Sequence, residues 1–535
     1  MQLLSKSYPL LFAAFPVLSL MAANISEIEL AEGLRPLLIA VAVGSLITGI
    51  SRFIQKDSPR ASLLAAGTII AFFSYGHLYA QLDNLSFADF SLGHHRYSLF
   101  VAGGGWLLWV LWTGKWLKDP DPVDRLLRGG AIIVVALPLA SILLYGLQER
   151  SPADTVDHAT SSGDSQELAS GELPDIYYIV LDGYARADIL ASYYDFDNTA
   201  FLDHLKELGF YVADGSVSNY NQTVLSLAGS LNMDYVEALA PANNSANNAR
   251  SILADQLKNS RVRNYLTSIG YELIAFETGY SQTEIRDANT FLGPSAKSGV
   301  LNHPLLGEGI SPIESMLLSS TALRLALDSD SLRQKLLSSA VIDPSYQAHR
   351  ARVNYTLNAL GEAAEKPGPT FTFAHVISPH PPFVFGPSGS SITNRGTFSL
   401  ADADAFGGST EEYIGAYRDQ LQHLNTLVSE AIDEILERSE RPPIILLQAD
   451  HGPGAYMAWN SAEETEMLER MAILSAYYFP DRQYHALYPT ITPINSFRVL
   501  LSTYFDAQLP LLPDKSYFSS WVEPLEFLEV TDELR

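Results

Sequence analysis

Five apolar stretches, 8–24, 36–53, 62–81, 97–113 and 130–147, fill the first 150 residues of this chain. Each is close to the ~20 residues that carry a helix across a bilayer. Trp106, Trp109, Trp112 and Trp116 surround the fourth, as interfacial aromatic residues do. A chain patterned in this way is expected to place residues 1–147 in a membrane as about five helices. Its loops predict the orientation. Arg52, Lys56 and Arg60 follow the second stretch, and Lys115, Lys118, Arg125 and Arg128 follow the fourth, so these loops are expected on the cytoplasmic side. The loops holding Glu27, Glu29 and Glu32, and Asp83 and Asp89, then face outward, as does everything after the fifth helix. An alternative reading of residues 1–24 is a cleavable signal peptide, with four helices remaining and the same orientation. The stretches carry no clear mid-helix acid or base apart from His77, which favours an anchor over an ion path.

The character changes at residues 148–174, where Ser, Asp, Glu and Gly dominate without apolar period, and this segment reads as a flexible acidic linker. Residues 175–535 then alternate strand and helix patterns. The run Ile176–Leu181 is continuously apolar, as in a strand buried on both faces. Shorter runs at 271–276, 370–377, 443–448 and 473–479 read the same way, and helices are expected near 197–208, 221–231, 249–268, 345–364 and 411–438. The alternation predicts an α/β domain with a mainly parallel sheet. Residues 281–345 are rich in Ser, Gly and Leu and read either as an inserted cap or as a surface excursion with its own small core.

Composition excludes several chemistries. The chain has no cysteine, so disulfides, thiolate metal sites and cysteine nucleophiles are ruled out. A net charge of -26 makes a nucleic-acid partner unsuitable.

Reactive groups in open α/β sheets gather at the carboxyl ends of strands. Asp182-Gly183 follows the strand 176–181, and Asp450-His451-Gly452 follows 443–448. A buried carboxylate is costly unless paired or metal-bound, and an adjacent Asp and His offer one oxygen and one imidazole to an ion such as Zn2+ or Mn2+. Either pair also reads as an ordinary turn. His380 lies in the proline-flanked loop Ser378-Pro379-His380-Pro381-Pro382, suited to aiming an imidazole at substrate, whereas His375 reads as a substrate contact or a core histidine. Thr223 stands where the polar segment Asn219–Gln222 enters an apolar helix, and a helix start attracts oxyanions. Thr223 or Asn221 reads alternatively as a simple cap. Arg186 offers positive charge close to Asp182.

In order, Asp182-Gly183, Thr223, His380 and Asp450-His451-Gly452 resemble the alkaline phosphatase/sulfatase superfamily over about residues 174–505. The apolar helices ahead of them are similar in layout to those of lipoteichoic acid synthase and the phosphoethanolamine transferases. The resemblance implies a multi-pass helical membrane domain followed by an α/β alkaline-phosphatase-like domain outside the cytoplasm, on the plasma (inner) membrane. It implies Asp182, Thr223, Asp450 and His451 as ligands of one divalent ion, with a second left open, Thr223 as nucleophile, and His380 at the phosphoryl or leaving group. Two departures stand out: those transferases usually carry Glu where this chain has Asp182, and no Cys/Ser-x-Pro-x-Arg motif surrounds Thr223. Sulfate-ester hydrolysis is therefore disfavoured. The expected activity is transfer of a phosphoryl-linked group, of phosphoglycerol or phosphoethanolamine type, from a membrane lipid donor to an envelope glycan or lipid. A phosphodiesterase, phosphatase or other sulfatase-like hydrolase, or a catalytically inactive envelope-binding protein, is the alternative.

Overall fold

The computed structural model describes residues 7–23, 25, 33–56, 58–83, 86–87, 90–91, 95–149, 173–239, 246–294, 312–327, 344–392 and 398–534. Nearly all of the linker expected at 148–174, and much of 281–345, lies outside the described residues. The chain forms two compact units, one of Met1–Ser162, Val300–Ser345 and Arg395–Phe398, the other of Gly163–Gly299, Tyr346–Asn394 and Ser399–Arg535.

The first unit is helical: α1 Pro9–Ala23, α2 Leu34–Ile54, α3 Ser58–Asp83, α4 His95–Leu111, extended by a π-helical turn at Trp112–Trp116, and α5 Asp121–Glu149. Among the described residues, three stretches, Leu34–Ile54, Pro59–Tyr79 and Asp121–Leu144, are long and apolar enough to cross a membrane. Leu46, Phe53, Ile133 and Leu137 point outward from these helices. Apolar exposure on that scale is stable in lipid rather than water, which makes this a membrane protein. Residues 312–327 also belong to this unit. Ile313 and Leu317, from the helix Pro312–Ser320, join Ala13, Val17, Met21 and Phe73 in one apolar core. Arg35 Nε donates to Glu314 Oε1 at 2.5 Å, and the Ala322 N–H donates to the Phe72 carbonyl at 2.8 Å.

The second unit is built on a seven-stranded sheet. Its strands are β1 Ile176–Leu181, β2 Tyr211–Val212, β3 Glu272–Phe276, β4 Thr290–Leu292, β5 Thr370–Val376, β6 Ile444–Gln448 and β7 Ser475–Tyr478. Their spatial order is β2-β7-β6-β1-β5-β3-β4, and only β7 runs against the rest. The central strands β1, β5 and β6 are buried along their whole length, as expected of strands covered by helices on both faces. Part of the 281–345 segment therefore belongs to the sheet, because β4 forms its edge.

Two helices position the groups at the carboxyl ends of these strands. The first, α6, spans Thr223–Asn232 and is buried after its first residue. The second, α7, spans Thr410–Arg438 and starts at a capping box, in which Ser409 and Glu412 satisfy each other's backbone N–H. Tyr413, Tyr417, Gln420, Leu421, Leu424 and Val428 make its buried stripe at helical spacing. The helix expected over 249–268 is two helices, Ala246–Lys258 and Arg261–Ser268. The break comes at Ser260, whose hydroxyl accepts the Arg263 N–H and so starts a new helix.

Candidate active site

Because β1, β5 and β6 run the same way, Asp182, the His380 loop and Asp450 all leave from one edge of the sheet. Helix α7 fixes two of these exits. Tyr417 OH donates to the Gly183 carbonyl at 2.9 Å, and Gln420 Nε2 donates to the Pro379 and His380 carbonyls at 3.2 and 3.3 Å. Gly183 turns the chain sharply with a φ of 74°, a conformation that glycine adopts without strain. Its N–H then donates to Asp450 Oδ1 at 3.2 Å, tying the two strand ends together.

Thr223 is the first residue of α6. Gln222 holds the N-cap position with extended backbone and makes no side-chain cap, and the Asn221 amide is bonded to Ser519 instead. Neither Thr223 nor Asn221 caps the helix, so its first-turn N–H groups are left to attract an anion. Ser226 Oγ, in that first turn, donates to the Asp450 carbonyl at 2.7 Å and locks α6 against the second motif.

The structure brings Asp182, Thr223, Asp450 and His451 together. His451 Nε2 lies 3.0 Å from Thr223 Oγ1, 3.3 Å from Asp450 Oδ2 and 3.6 Å from Asp182 Oδ1. The ligand atoms of Asp182, Asp450 and His451 all lie within 4.8 Å of one another, and the three residues are buried. Asp182 Oδ1 and Asp450 Oδ2 receive no hydrogen bond among the described residues. Two buried carboxylate oxygens without donors, converging with an imidazole nitrogen and a hydroxyl, fit a divalent cation. His451 Nδ1 lies 2.9 Å from the Gly452 carbonyl, which orients the ring with Nε2 toward the cluster.

Electrostatics single out this edge. Burial alone would raise the Asp182 carboxyl, but His380, His375 and His451 together hold it well below the usual carboxylate range. Burial would lower His380, yet Asp182 and Asp402 outweigh it and push its pKa up. The His380 Nδ1 faces the Pro381 carbonyl, and its Nε2 lies 3.6 Å from Asp402 Oδ2.

Two residues expected at the substrate have other partners in this structure. Arg186 does not reach the cluster: its Nε and Nη2 fork onto the Asp188 carboxylate at 2.7 and 2.8 Å, and Nη1 donates to the Ser216 carbonyl at 3.0 Å. A nearby carboxylate of its own helix has captured it. His375, with a fully buried side chain, packs against Asp182 in this structure. Its Nε2 lies 3.2 Å from Asp182 Oδ2 and its Nδ1 3.0 Å from Thr283 Oγ1.

The cation beside the cluster is Arg470, on the short helix α8, Met467–Met471. It is fully buried and paired at 2.7 Å with the buried Asp402. Sequence offered little signal for either residue: Arg470 lies in an ordinary Leu-Glu-Arg-Met run, and Asp402 in Ala-Asp-Ala-Asp-Ala.

Among solved structures, the C-terminal periplasmic domain of EcEptC from Escherichia coli, in complex with zinc, is 9% identical, covering 67% of this chain and 93% of that one at a TM-score of 0.43. Lipooligosaccharide phosphoethanolamine transferase A from Neisseria meningitidis, an integral membrane protein, is 11% identical over 94% of this chain and 97% of that one, with a TM-score of 0.39. The periplasmic domain of phosphoethanolamine transferase EptC from Campylobacter jejuni is 14% identical over 64% and 92%, with a TM-score of 0.35. No curated protein matches the sequence. The family model of the sulfatases matches residues 174–497, more than half the chain and the whole of the Asp182, Thr223, Asp450 and His451 cluster, and the protein therefore belongs to the sulfatase family.

Proposed function

We propose that this sulfatase-family enzyme is a phosphoryl-group transferase with Thr223 as its nucleophile. The reading is carried by one observation: Thr223 Oγ1, at an uncapped helix start, lies 3.0 Å from the His451 nitrogen on which two donor-free carboxylate oxygens converge. Asp182, Asp450, His451 and Thr223 would hold a divalent ion, with Mn2+ or Zn2+ suiting this mixed set of oxygen and nitrogen donors. Such an ion lowers the pKa of a hydroxyl it binds and offsets negative charge on a transferring phosphoryl group.

The chain's own groups do the rest. Thr223 Oγ forms a bond to phosphorus, and its proton passes to solvent. The bond from phosphorus to the lipid alcohol breaks, and the departing oxygen takes the proton of His380 Nε2, the ring nitrogen turned away from Pro381. An envelope hydroxyl then attacks the phospho-threonine and gives its proton to His380, while the bond from phosphorus to Thr223 Oγ breaks and that oxygen takes a proton from solvent. First-turn amides of α6 donate to the phosphoryl oxygens in both steps. The N-terminal helices would hold the site beside a lipid donor of phosphoglycerol or phosphoethanolamine type, with the family domain outside the cytoplasm at the inner membrane.

The test uses full-length protein with vesicles containing phosphatidylethanolamine or phosphatidylglycerol, and reads diacylglycerol release. Thr223→Ala should lose turnover by about a thousandfold or more while keeping its fold, with Asp182, Asp450 and His451 still able to take up the metal when it is supplied in excess. Wild-type protein quenched during turnover should carry added phosphoryl mass on the peptide containing Thr223. Undiminished turnover in Thr223→Ala would refute the assignment.

A further inference from the structure

Arg470 is a cation with 0% of its surface exposed, held at the edge where the cluster forms. Burying a guanidinium costs several kcal/mol unless its donors are satisfied, and the way they are satisfied here is directional. Nε donates to the Asn221 carbonyl at 3.0 Å, two residues before Thr223. Nη1 donates to Asp402 Oδ2 at 2.7 Å and to the Gly452 carbonyl at 3.0 Å, one residue after His451. Nη2 is left facing His451 Nε2 at 3.2 Å, the same nitrogen that Thr223 Oγ1 approaches to 3.0 Å. The guanidinium is thus fastened on one side to the loops that carry the nucleophile and the histidine, and its remaining nitrogen is turned toward the point between them.

Asp402 is built to keep it there. The Tyr413 hydroxyl donates to Asp402 Oδ1 at 2.7 Å, leaving Oδ2 for Arg470. The loop after His451 passes so close to this carboxylate that a Cβ at Gly454 would sit 2.9 Å from both of its oxygens. A glycine at that position lets the loop and the carboxylate share the space. Burial would raise the Asp402 carboxyl, but His380 and Arg470 outweigh it and keep it ionised.

We infer that Arg470 is a catalytic residue whose Nη2 donates to a non-bridging oxygen of the transferring phosphoryl group, and that Asp402 is the positioning residue that aims it. This rests on the reading of the same site as a phosphoryl-transfer centre. A planar guanidinium anchored through Nε and Nη1 keeps Nη2 in a fixed position to donate to one phosphoryl oxygen. It supplies the positive charge that Arg186, bound to Asp188, does not.

The experiment uses full-length, metal-loaded protein with inorganic phosphate and orthovanadate as probes, alongside diacylglycerol release. Arg470→Lys keeps the charge but cannot reach the Asn221, Asp402 and Gly452 oxygens and the phosphoryl oxygen together. Its phosphate affinity should fall about 10- to 100-fold and its kcat about 100-fold or more, with metal content unchanged. Arg470→Ala should regain part of its kcat when guanidinium is added, which a purely structural role would not allow. Asp402→Asn should lower kcat by about 10- to 100-fold, and Gly454→Ala, which crowds the same carboxylate without touching the cluster, should act in the same direction. If Arg470→Ala does not fold, the Lys and Asn variants carry the test. Arg470→Lys with wild-type phosphate affinity and kcat would overturn the inference. Wild-type protein that binds neither phosphate nor vanadate would instead overturn the phosphoryl-transfer reading.

Discussion

The two carboxylates at the cluster give a prediction whose sign depends on whether an ion is bound. The ligand atoms of Asp182 and Asp450 are no more than 4.8 Å apart, both residues are buried, and one oxygen of each lacks a donor among the described residues. At that separation and an effective dielectric near 20, two negative charges repel by at least about 3 kcal/mol. With the cation in place this repulsion becomes attraction to a shared centre. With it removed, the repulsion is stored in the fold. Asp450→Asn removes one charge and little else: Asn can still accept the Gly183 N–H now at 3.2 Å, and its amide nitrogen would stand where Oδ2 lies, 3.3 Å from His451 Nε2. The metal-loaded wild type should therefore melt above loaded Asp450→Asn. After stripping with EDTA the order should reverse, with the variant ahead by about 3 kcal/mol, which is several degrees in a protein of this size. The assay is thermal unfolding of detergent-solubilised full-length protein by intrinsic fluorescence, with metal content measured on the same samples. If the variant lies below wild type by the same margin in both states, Asp450 is an ordinary hydrogen-bond acceptor and no ion organises this edge.

Two further outcomes come from groups other than the four proposed ligands. Burial pushes the Glu469 carboxyl up to about 8, from an ordinary value of 4.5, so between those pH values the folded state holds a proton that the unfolded state has released. Stability must then fall as pH rises from 5 to 8, by about 3–5 kcal/mol from this group alone. Glu469→Gln should gain on wild type across that window, and melting curves that stay parallel from pH 5 to 8 would contradict it. In the first unit, Arg35→Gln leaves Glu314, whose side chain is only 10% exposed, without its forked partner. The single variant should lose about 2–4 kcal/mol, while the double variant Arg35→Gln/Glu314→Gln recovers part of it. Strictly additive losses in a double-mutant cycle would show that the pair is not coupled.

The sequence revealed what local physics decides and hid what only tertiary burial decides. The central strands were legible because burial on both faces demands uninterrupted apolar runs, and Ile176–Leu181 lies where its pattern placed it. Helix α7 begins within a residue of its expected start because Ser409 and Glu412 spell out a capping box. The two-residue strand β2 and the three-residue β4 are too short to carry a period, so they gave no signal. In the helix expected over 249–268, the apolar period ran on past Ser260, and the capping hydroxyl that ends one helix and opens the next was outweighed. The cluster itself was legible for a related reason. Asp182 and Asp450-His451 sit at strand ends and Thr223 at a helix start, where element boundaries and chemistry coincide in the sequence. Arg470 and Asp402 break that rule. They lie 68 residues apart, neither marks a boundary of a long element, and each would pass for a solvated surface charge. What distinguishes them is that both are almost completely buried and paired with each other beside His451 and His380. A charged pair is kept in such a place, against its desolvation cost, when the position itself is useful. Here the position is one from which the guanidinium Nη2 faces His451 Nε2 at 3.2 Å.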